Sequence, residues 1–163
     1  QEYAKIEMRR RLTLIAAMCV RRGEADGMLC GTFGTHQTHL QYIEQVIGRR
    51  PGVNHFYAMN VLLLPRRTVF ICDTYVNFDP TAEQIAEMTV LAAEEIRRFG
   101  IVPKAALLSH SSFGTANTPT AQKMRAALAL IEKIAPDLEV EGEMHGDAAR
   151  CLIFRDEINA AIV

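Results

Sequence analysis

The sequence predicts an α/β domain with a mixed β-sheet, and three observations indicate this. Helical stripes and strand-like runs alternate along the chain, as they do in α/β proteins. Two β-rich runs, residues 56–65 and 68–76, are joined by a stretch so short that it favours an antiparallel hairpin. Residues 138–144, LEVEGEM, alternate strictly between apolar and polar side chains, which is typical of a strand.

The composition is that of one globular domain, and we assign residues 1–163 to it. Of the 163 residues, 49% are apolar and 23% are charged. Lys and Arg total 18 against 19 for Asp and Glu, so electrostatics gives no case for binding nucleic acid or a membrane surface. The apolar run 12–20 is too short to cross a bilayer and is predicted to be a buried helix segment.

The first third of the chain predicts two helices with a strand between them. The first helix is expected over residues 3–22 and should end at Gly23. Residues 26–33, DGMLCGTF, are expected to form a short strand. The second helix should be capped by Thr35 and end at Gly48.

A long helix after residue 81 has the clearest signals in the chain. Asp79 or Thr81 can cap it, and Gly100 should end it. We expect an ion pair between Glu94 and Arg98 on its wet side. Its predicted buried stripe is Ile85, Met88, Ala92, Ile96 and Phe99.

The last third predicts strands on either side of one more helix. Residues 104–111 are expected to be a buried strand, and Thr118 with Pro119 should open the helix. In the alternating run, Leu138, Val140 and Met144 should share one side and the glutamates the other. Residues 151–154, CLIF, are expected to be a last strand.

Four cysteines, at positions 19, 30, 72 and 151, show no C-x-x-C spacing, and each lies in an apolar run. This pattern favours reduced, buried thiols in a cytoplasmic protein over a disulfide framework or a zinc site.

Three polar loops follow predicted strands and are the candidate ligand sites: residues 31–38, 73–81 and 109–117. In open α/β sheets, ligands bind at the carboxyl ends of strands, where helix N-termini favour phosphate. The loops could therefore form one cleft for a phosphate-bearing ligand, or they could be ordinary capping loops. The residues alone do not choose between these interpretations.

Histidine and arginine groups offer weaker signals. His36 and His39 have the H-x-x-H spacing of a metal pair, but no third ligand is evident, so hydrogen-bonded histidines are the favoured interpretation. His145 and Asp147 could indicate acid–base chemistry, although a turn at the end of a strand explains them equally well. The pair Arg49–Arg50 is interpreted as a solvated helix end.

Five segments in one order carry a resemblance to a known family. They are RRGEADGMLCG, PGVNHFYAMNVLLLP, CDTYVNFDPTAEQIAE, RRFGIVPKAALLSHSSFGT and APDLEVEGEMHGDAA. Together they resemble the phosphotransacetylase (phosphate acetyl/butyryltransferase) family, over about residues 9–149. The branch that they resemble most is the phosphotransacetylase-like C-terminal domain of bacterial hybrid NADP-dependent malic enzymes.

The resemblance implies an architecture like that of isocitrate and isopropylmalate dehydrogenase. That fold is a three-layer αβα arrangement with a mixed sheet and two subdomains that flank a cleft. The chain is then a fragment of the two-subdomain unit, with the first subdomain largely missing. A segment is expected to be missing after residue 150, which leaves Asn159 without a firm match.

The same resemblance implies a site for acetyl-CoA, with the loop 73–81 facing the acyl-thioester end of the cofactor. We assign no metal ligand and no catalytic residue in this chain. The positions that the resemblance assigns to cofactor binding are Arg11, Thr32, Thr35, Asp73, Asn77, Ser109, Ser111, Gly114 and Thr115.

The sequence also departs from the family pattern. Residues 109–122 contain no carboxylate, Lys or Arg, and His110 is their only ionisable side chain. Gln41 stands where the family commonly has an arginine. Group transfer requires charge stabilisation, so we expect a domain that binds the cofactor and turns it over poorly.

Three functions follow as expectations from the resemblance. The first is a regulatory acetyl-CoA-binding domain that forms a homo-oligomer, within a parent chain whose separate malic-enzyme domain uses NADP and Mg²⁺ or Mn²⁺. The second is an active phosphate acetyltransferase, in which the arginines at 9–11 would anchor the cofactor or phosphate. The third is a purely structural domain, which would use an apolar surface on the helix 12–20 or on the hairpin.

Overall fold

The computed structural model describes residues 2–65, 67–149 and 160–162. The chain divides into two compact units, residues 1–54 and residues 55–163. No helix of the described residues is long and apolar enough to cross a membrane.

The first unit is helical throughout its described elements: α1 Glu2–Arg10, α2 Leu12–Arg21 and α3 His36–Val46. The single helix predicted over residues 3–22 is wrong, because Arg11 leaves the helical region with φ −116° and ψ 89°. Arginine favours helix, and neither Gly nor Pro lies at the break, so the local sequence carries no signal for it.

In the first unit, the predicted helix cap and helix ends are confirmed, whereas the predicted strand is wrong. Thr35 caps α3 by accepting a hydrogen bond from Thr38 N at 3.3 Å, as predicted. Gly23 and Gly48 have φ of +71° and +80° and follow the ends of α2 and α3. The strand expected over residues 26–33 is wrong, because a strand requires a partner and the described part of this unit contains none.

The described residues of the second unit form a mixed sheet whose strands are β1 Met59–Leu64, β2 Arg67–Cys72, β3 Lys104–Leu108, β4 Glu139–Met144 and β5 Ala160–Ile162. Their order in the sheet is β1-β2-β5-β3-β4. Strands β1 and β2 form the predicted antiparallel hairpin, whereas β5 lies parallel between β2 and β3, and β4 is parallel to β3. The α/β class and the mixed sheet are therefore confirmed. The strand predicted at 151–154 lies outside the described residues.

Two helices, α4 Ala82–Arg98 and α5 Pro119–Ile134, share one apolar cluster with β3. Thr81 caps α4 in a capping box with Gln84, and Thr118 caps α5. Together the caps position the starts of both helices, and with them the loops that precede them. The buried members of the cluster on these helices include Ile85, Met88, Ala92, Ala127 and Ile131.

Two predictions for α4 are corrected at its end. Phe99 is 64% exposed rather than part of the buried stripe, because it follows the last residue of the helix. Its ring still contacts that of Phe70. Arg98 pairs with Glu95, three residues away, at 3.1 Å instead of with Glu94. Gly100 ends the helix region as predicted, with φ +76°.

A register shift disturbs the predicted alternation of β4. Leu107 pairs with Gly142 and Leu108 pairs with Met144, which leaves Glu143 as the extra residue of a β-bulge. Met144 consequently packs against Ala106, in a cluster separate from Leu138. The predicted separation of the glutamates from the buried side chains is therefore wrong at Glu143, which is fully buried.

Among the described residues, strand β1 forms one edge of the sheet, and most of its side chains are poorly covered. Its partner β2 is buried at Val69 and Phe70, whereas four consecutive apolar residues of β1 are exposed. The most exposed is Leu63, at 81%. The apolar surface predicted on the hairpin is therefore present; it comprises Val61, Leu62, Leu63 and Leu64.

The cysteines are less uniform than predicted. Cys72 is buried, Cys19 is partly buried and Cys30 is exposed, and all three are free thiols. The prediction of burial is wrong for Cys30, because residues 26–33 run over the surface instead of entering a sheet. Cys151 lies outside the described residues.

Candidate functional site

A cavity of about 460 Å³ lies in the first unit, between the break at Arg11 and the loop that leads into α3. Its size falls within the range of small-molecule sites, roughly 300–1,000 Å³. Two of the predicted binding residues, Arg11 and Thr32, line it, whereas the exposed Thr35 serves as the cap of α3. Other polar lining residues are Arg10, Thr13, Thr38, His39 and Tyr42.

The lining of this cavity is suited to an anionic ligand. The N-terminal end of α3 lies beside it, and the first N–H groups of a helix carry partial positive charge. Arg11 is exposed, and its Nε donates to Glu7 Oε2 at 3.2 Å. Arg10 adds a second cation.

His39 is held by a hydrogen bond and belongs to no metal cluster in the described chain. Its Nδ1 lies 2.7 Å from the buried Thr13 Oγ1, which ties α2 to α3. Its Nε2 is buried and has no hydrogen-bond partner among the described residues. No group of three or more His, Cys, Asp or Glu side chains that could hold a metal occurs among them either.

The loop 73–81 in the second unit is organised by Asp73. One carboxylate oxygen accepts from Ala58 N at 3.0 Å and Val76 N at 3.2 Å, and the other accepts from Asn77 N at 2.8 Å. The side-chain amide of Asn77 also donates to Asp73 and to Phe56 O. Both predicted residues are thus brought together, with Asp73 as the centre of the turn.

Burial would raise the pKa of Asp73, but these hydrogen bonds outweigh it and hold the pKa below its ordinary value. The carboxylate is therefore charged at neutral pH and committed to backbone donors. A ligand at this loop would meet groups that Asp73 positions.

A tyrosine–glutamate contact beside this loop carried no signal in the sequence. Tyr57 Oη donates to Glu87 Oε2 at 2.6 Å, and His55 Nδ1 lies 3.5 Å from the same oxygen. Burial first, and then the hydrogen bond to Glu87, raise the pKa of Tyr57. Tyr57 therefore remains a neutral donor across the physiological range.

The serine loop, residues 109–117, folds back upon itself. Ser111 is 1% exposed, and its hydroxyl accepts from Ala116 N at 3.0 Å. Ser109 Oγ accepts from Ser111 N, and Thr115 Oγ1 accepts from Ser112 N. Phe113 adopts φ +50°, a value that few residues other than glycine adopt. The four predicted residues Ser109, Ser111, Gly114 and Thr115 are therefore assembled in one compact turn.

A buried carboxylate from β4 lies under this loop, although the loop sequence itself contains none. Glu143 Oε1 accepts from Ser111 Oγ at 2.7 Å and from Gly114 N at 3.0 Å. Arg125 Nη1, from α5, donates to the same oxygen at 2.8 Å. The expectation of an uncharged serine loop thus holds for its sequence but not for its surroundings.

The charge on Glu143 is maintained by its donors. Burial alone would raise the pKa of the Glu143 carboxyl, but the hydrogen bonds from Ser111 and Gly114, together with the nearby Arg125 charge, lower it to about 2. A buried ion is tolerated only when it is paired and hydrogen-bonded in this way.

Other contacts link these loops to α5 and to the residues that follow β4. Lys123 on α5 pairs with Asp79, which links α5 to the loop 73–81. His145 N donates to Ser112 Oγ at 3.1 Å, and the exposed Asp147 accepts from Ala148 N in the helical turn 146–149. The turn interpretation accounts for both residues.

The positions predicted for cofactor binding thus fall into three groups. Arg11 and Thr32 lie at the cavity of the first unit, with Thr35 nearby as a helix cap. The other groups are the Asp73 turn and the serine loop, both in the second unit. Their roles in binding, and the single cleft expected from the three loops, stay predictions.

Comparison with known proteins identifies the family. The family model described as "Phosphate acetyl/butaryl transferase" matches residues 1–156. The chain is 55% identical over 157 residues to an NADP-dependent malic enzyme of Salmonella typhimurium, covering 96% of this chain and 21% of that protein. It is 50% identical over 157 residues to an NAD-dependent malic enzyme of Rhizobium meliloti, covering 96% of this chain and 20% of that protein.

The fold comparison agrees. A phosphotransacetylase from Streptococcus pyogenes superposes with a TM-score of 0.81 at 28% identity, covering 96% of this chain and 51% of that one. The chain thus spans about one fifth of the length of the malic enzymes and about half of the solved transferase. By the match along nearly its whole length, the chain belongs to the phosphate acetyl/butaryl transferase family.

Proposed function

We propose that this chain is the acetyl-CoA-binding regulatory domain of a malic enzyme. One observation carries the proposal: the chain is 50–55% identical to two malic enzymes and spans about one fifth of their length. In such a protein, NADP or NAD, a divalent cation and malate belong to a separate malic-enzyme domain. This chain contributes a ligand site and a contact between subunits.

The cavity of the first unit supports the ligand proposal. Acetyl-CoA carries phosphate groups, and the cavity offers Arg10, Arg11 and the N-terminal end of α3. Thr32 and Thr38 add hydroxyl groups that can donate or accept hydrogen bonds. Together these groups favour an anion over a neutral or cationic ligand.

The serine loop supports binding rather than turnover. The nearest carboxylate, Glu143, is fully buried, and the nearest guanidinium, that of Arg125, is engaged with Glu143, Ala116 O and Asn117. Charges committed to one another in the ground state are not free to stabilise charge that develops in a transition state. Gln41 adds no charge in place of the arginine common in the family.

Regulation requires acetyl-CoA to bind one arrangement of the whole protein better than another. We propose that this domain transmits the difference through a homo-oligomer that it helps to form.

We also propose that the complete domain has the two-subdomain, three-layer fold of the isocitrate dehydrogenase type. The cytoplasmic location stays a prediction that rests on the expectation of reduced cysteines.

The test measures malate oxidation by the complete protein as acetyl-CoA is increased, together with acetyl-CoA binding by calorimetry. The expected result is saturable binding and a change of activity over the same concentration range. Arg11→Gln, which removes one cation from the cavity, should shift both curves together to higher acetyl-CoA. A matched substitution at a distance from the cavity, Arg22→Gln, should leave them in place. Activity that does not respond, in a protein that does not bind acetyl-CoA, would rule the proposal out.

An active phosphate acetyltransferase is the second candidate. The observation that favours it is the match of residues 1–156 to the phosphate acetyl/butaryl transferase family, together with the likeness to a phosphotransacetylase of Streptococcus pyogenes. The complete protein is incubated with acetyl-CoA and inorganic phosphate, and acetyl phosphate is measured. Sustained turnover would favour the transferase over the regulatory domain, and absence of acetyl phosphate would rule the transferase out.

A further inference from the structure

The bulge in β4 places Glu143 under the serine loop. The proposed function gives Glu143 itself no part in ligand binding. A carboxylate at this position has no solvent and therefore depends entirely on protein donors. Two of those donors, Ser111 Oγ and Gly114 N, belong to residues that the resemblance assigns to cofactor binding. The third is Arg125.

Backbone contacts attach the same loop to the same strand. Ser109 N donates to Met144 O at 2.9 Å, and Phe113 N donates to Glu143 O at 2.8 Å. Phe113 is held at φ +50°, a conformation that persists only where the surroundings enforce it. The surroundings here are the main chain and the side chain of Glu143.

The result is a loop with an anchored side and a presented side. Ser111 is 1% exposed and directed inward, whereas His110, Phe113 and Thr115 are exposed. A ligand therefore meets the exposed residues, in positions that depend on the anchors beneath them. Ser111 is then an anchor of the loop, whereas the resemblance assigns it to cofactor binding.

We propose that Glu143, with Arg125, is a positioning residue for ligand binding at the serine loop. It touches no ligand; it acts by fixing Ser111 and Gly114, and through them the exposed face of the loop. The inference rests on the proposed function, because the ligand is acetyl-CoA.

The test compares Glu143→Gln with Glu139→Gln in the complete protein. Both glutamates lie on β4, and each forms an ion pair with a basic side chain; Glu139 pairs with Lys104 at 3.0 Å. Glu139, however, lies at the end of the strand that is distant from the serine loop. Calorimetry gives the Kd for acetyl-CoA, and thermal unfolding with and without acetyl-CoA gives the ligand-induced increase in Tm. A merely structural role would lower Tm without changing Kd or that increase.

The expected result is that Glu143→Gln raises Kd about tenfold and reduces the ligand-induced Tm increase, whereas Glu139→Gln changes neither. If Glu143→Gln does not fold, Arg125→Lys, which keeps a cation beside Glu143 but cannot reproduce the guanidinium hydrogen bonds to Glu143 and Asn117, should give the same pattern. Wild-type affinity, or a tighter affinity because Ser111 and Gly114 are released to the ligand, would overturn the positioning role. Absence of binding by the wild type would instead overturn the proposed function, and the positioning role with it.

Discussion

Arg125 and Glu143, 18 residues apart in the sequence, share a charged hydrogen bond of 2.8 Å in which the carboxylate is fully buried. The guanidinium comes from α5 and the carboxylate from the bulge of β4, so the pair joins a helix to the sheet beneath the serine loop. Each remaining donor to that oxygen comes from the loop itself. One carboxylate oxygen therefore links the helix, the sheet and the serine loop.

Removal of the cation should be costly. Arg125→Met keeps the aliphatic part of the side chain but leaves Glu143 buried without a counter-ion, and we expect a loss of about 3–5 kcal/mol in the free energy of unfolding. Urea denaturation at pH 7 measures this. Arg98→Met, at the exposed pair with Glu95, is the control and should change stability by less than about 1 kcal/mol. Equal effects for the two variants would contradict the role of burial.

The same carboxylate should make the protein sensitive to acid. Its folded pKa of about 2 lies below the ordinary value of 4.5, so the folded state binds the proton more weakly than the unfolded chain does. The stabilisation is therefore complete above about pH 4.5 and is lost as the pH falls toward 2. Asp73, whose pKa is also lowered, acts in the same direction.

Urea denaturation at pH 7, 5, 4 and 3 tests this dependence. The difference in stability between the wild type and Glu143→Gln isolates the contribution of Glu143, and it should shrink as the pH falls below 4.5. A constant difference at every pH would show that the ionisation of Glu143 is not linked to folding.

Gly142 should tolerate no side chain. An added Cβ would lie 2.8 Å from Leu107 Cβ and 2.9 Å from Leu107 O, and the residue has φ +148°. Gly142→Ala must therefore move β4 away from β3 and displace Glu143, and we expect a loss of about 1–3 kcal/mol. Thermal unfolding measures it against Gly146→Ala, where an added Cβ meets nothing within 4 Å. A neutral Gly142→Ala would be inconsistent with the tight contact at the bulge.

The thiols should differ widely in reactivity. Cys30 is exposed, whereas burial, and then the nearby Asp73 charge, raise the pKa of Cys72 to about 12. Iodoacetamide followed by peptide mass spectrometry should show Cys30 modified first and Cys72 protected until the protein unfolds. Rapid modification of Cys72 in the folded protein would mean that β2 opens locally.

Features encoded within a few residues were predictable from the sequence. Thr35, Thr81 and Thr118 each cap the helix that follows, because a cap depends only on the next turn. The hairpin of β1 and β2 was predictable for the same reason, since its loop sets its pairing.

The features that failed are those decided by distant residues. The burial of Glu143 depends on a register between β3 and β4 and on a serine 32 residues away. An alternating pattern cannot reveal a bulge that reverses it. Likewise, residues 26–33 have a strand-like composition, but a strand forms only where a partner exists. The candidate site was therefore predictable as a set of loops, and its central charge was not.

The uncovered rim of β1 has a practical consequence for anyone who handles this chain. An edge strand with exposed leucine side chains is a template to which a strand of another molecule can pair, and such pairing leads to aggregation. Concentrated preparations should therefore scatter light increasingly on storage, and a lysine introduced by Leu63→Lys should keep them clear. Crystallisation or NMR trials would do well to begin with that variant.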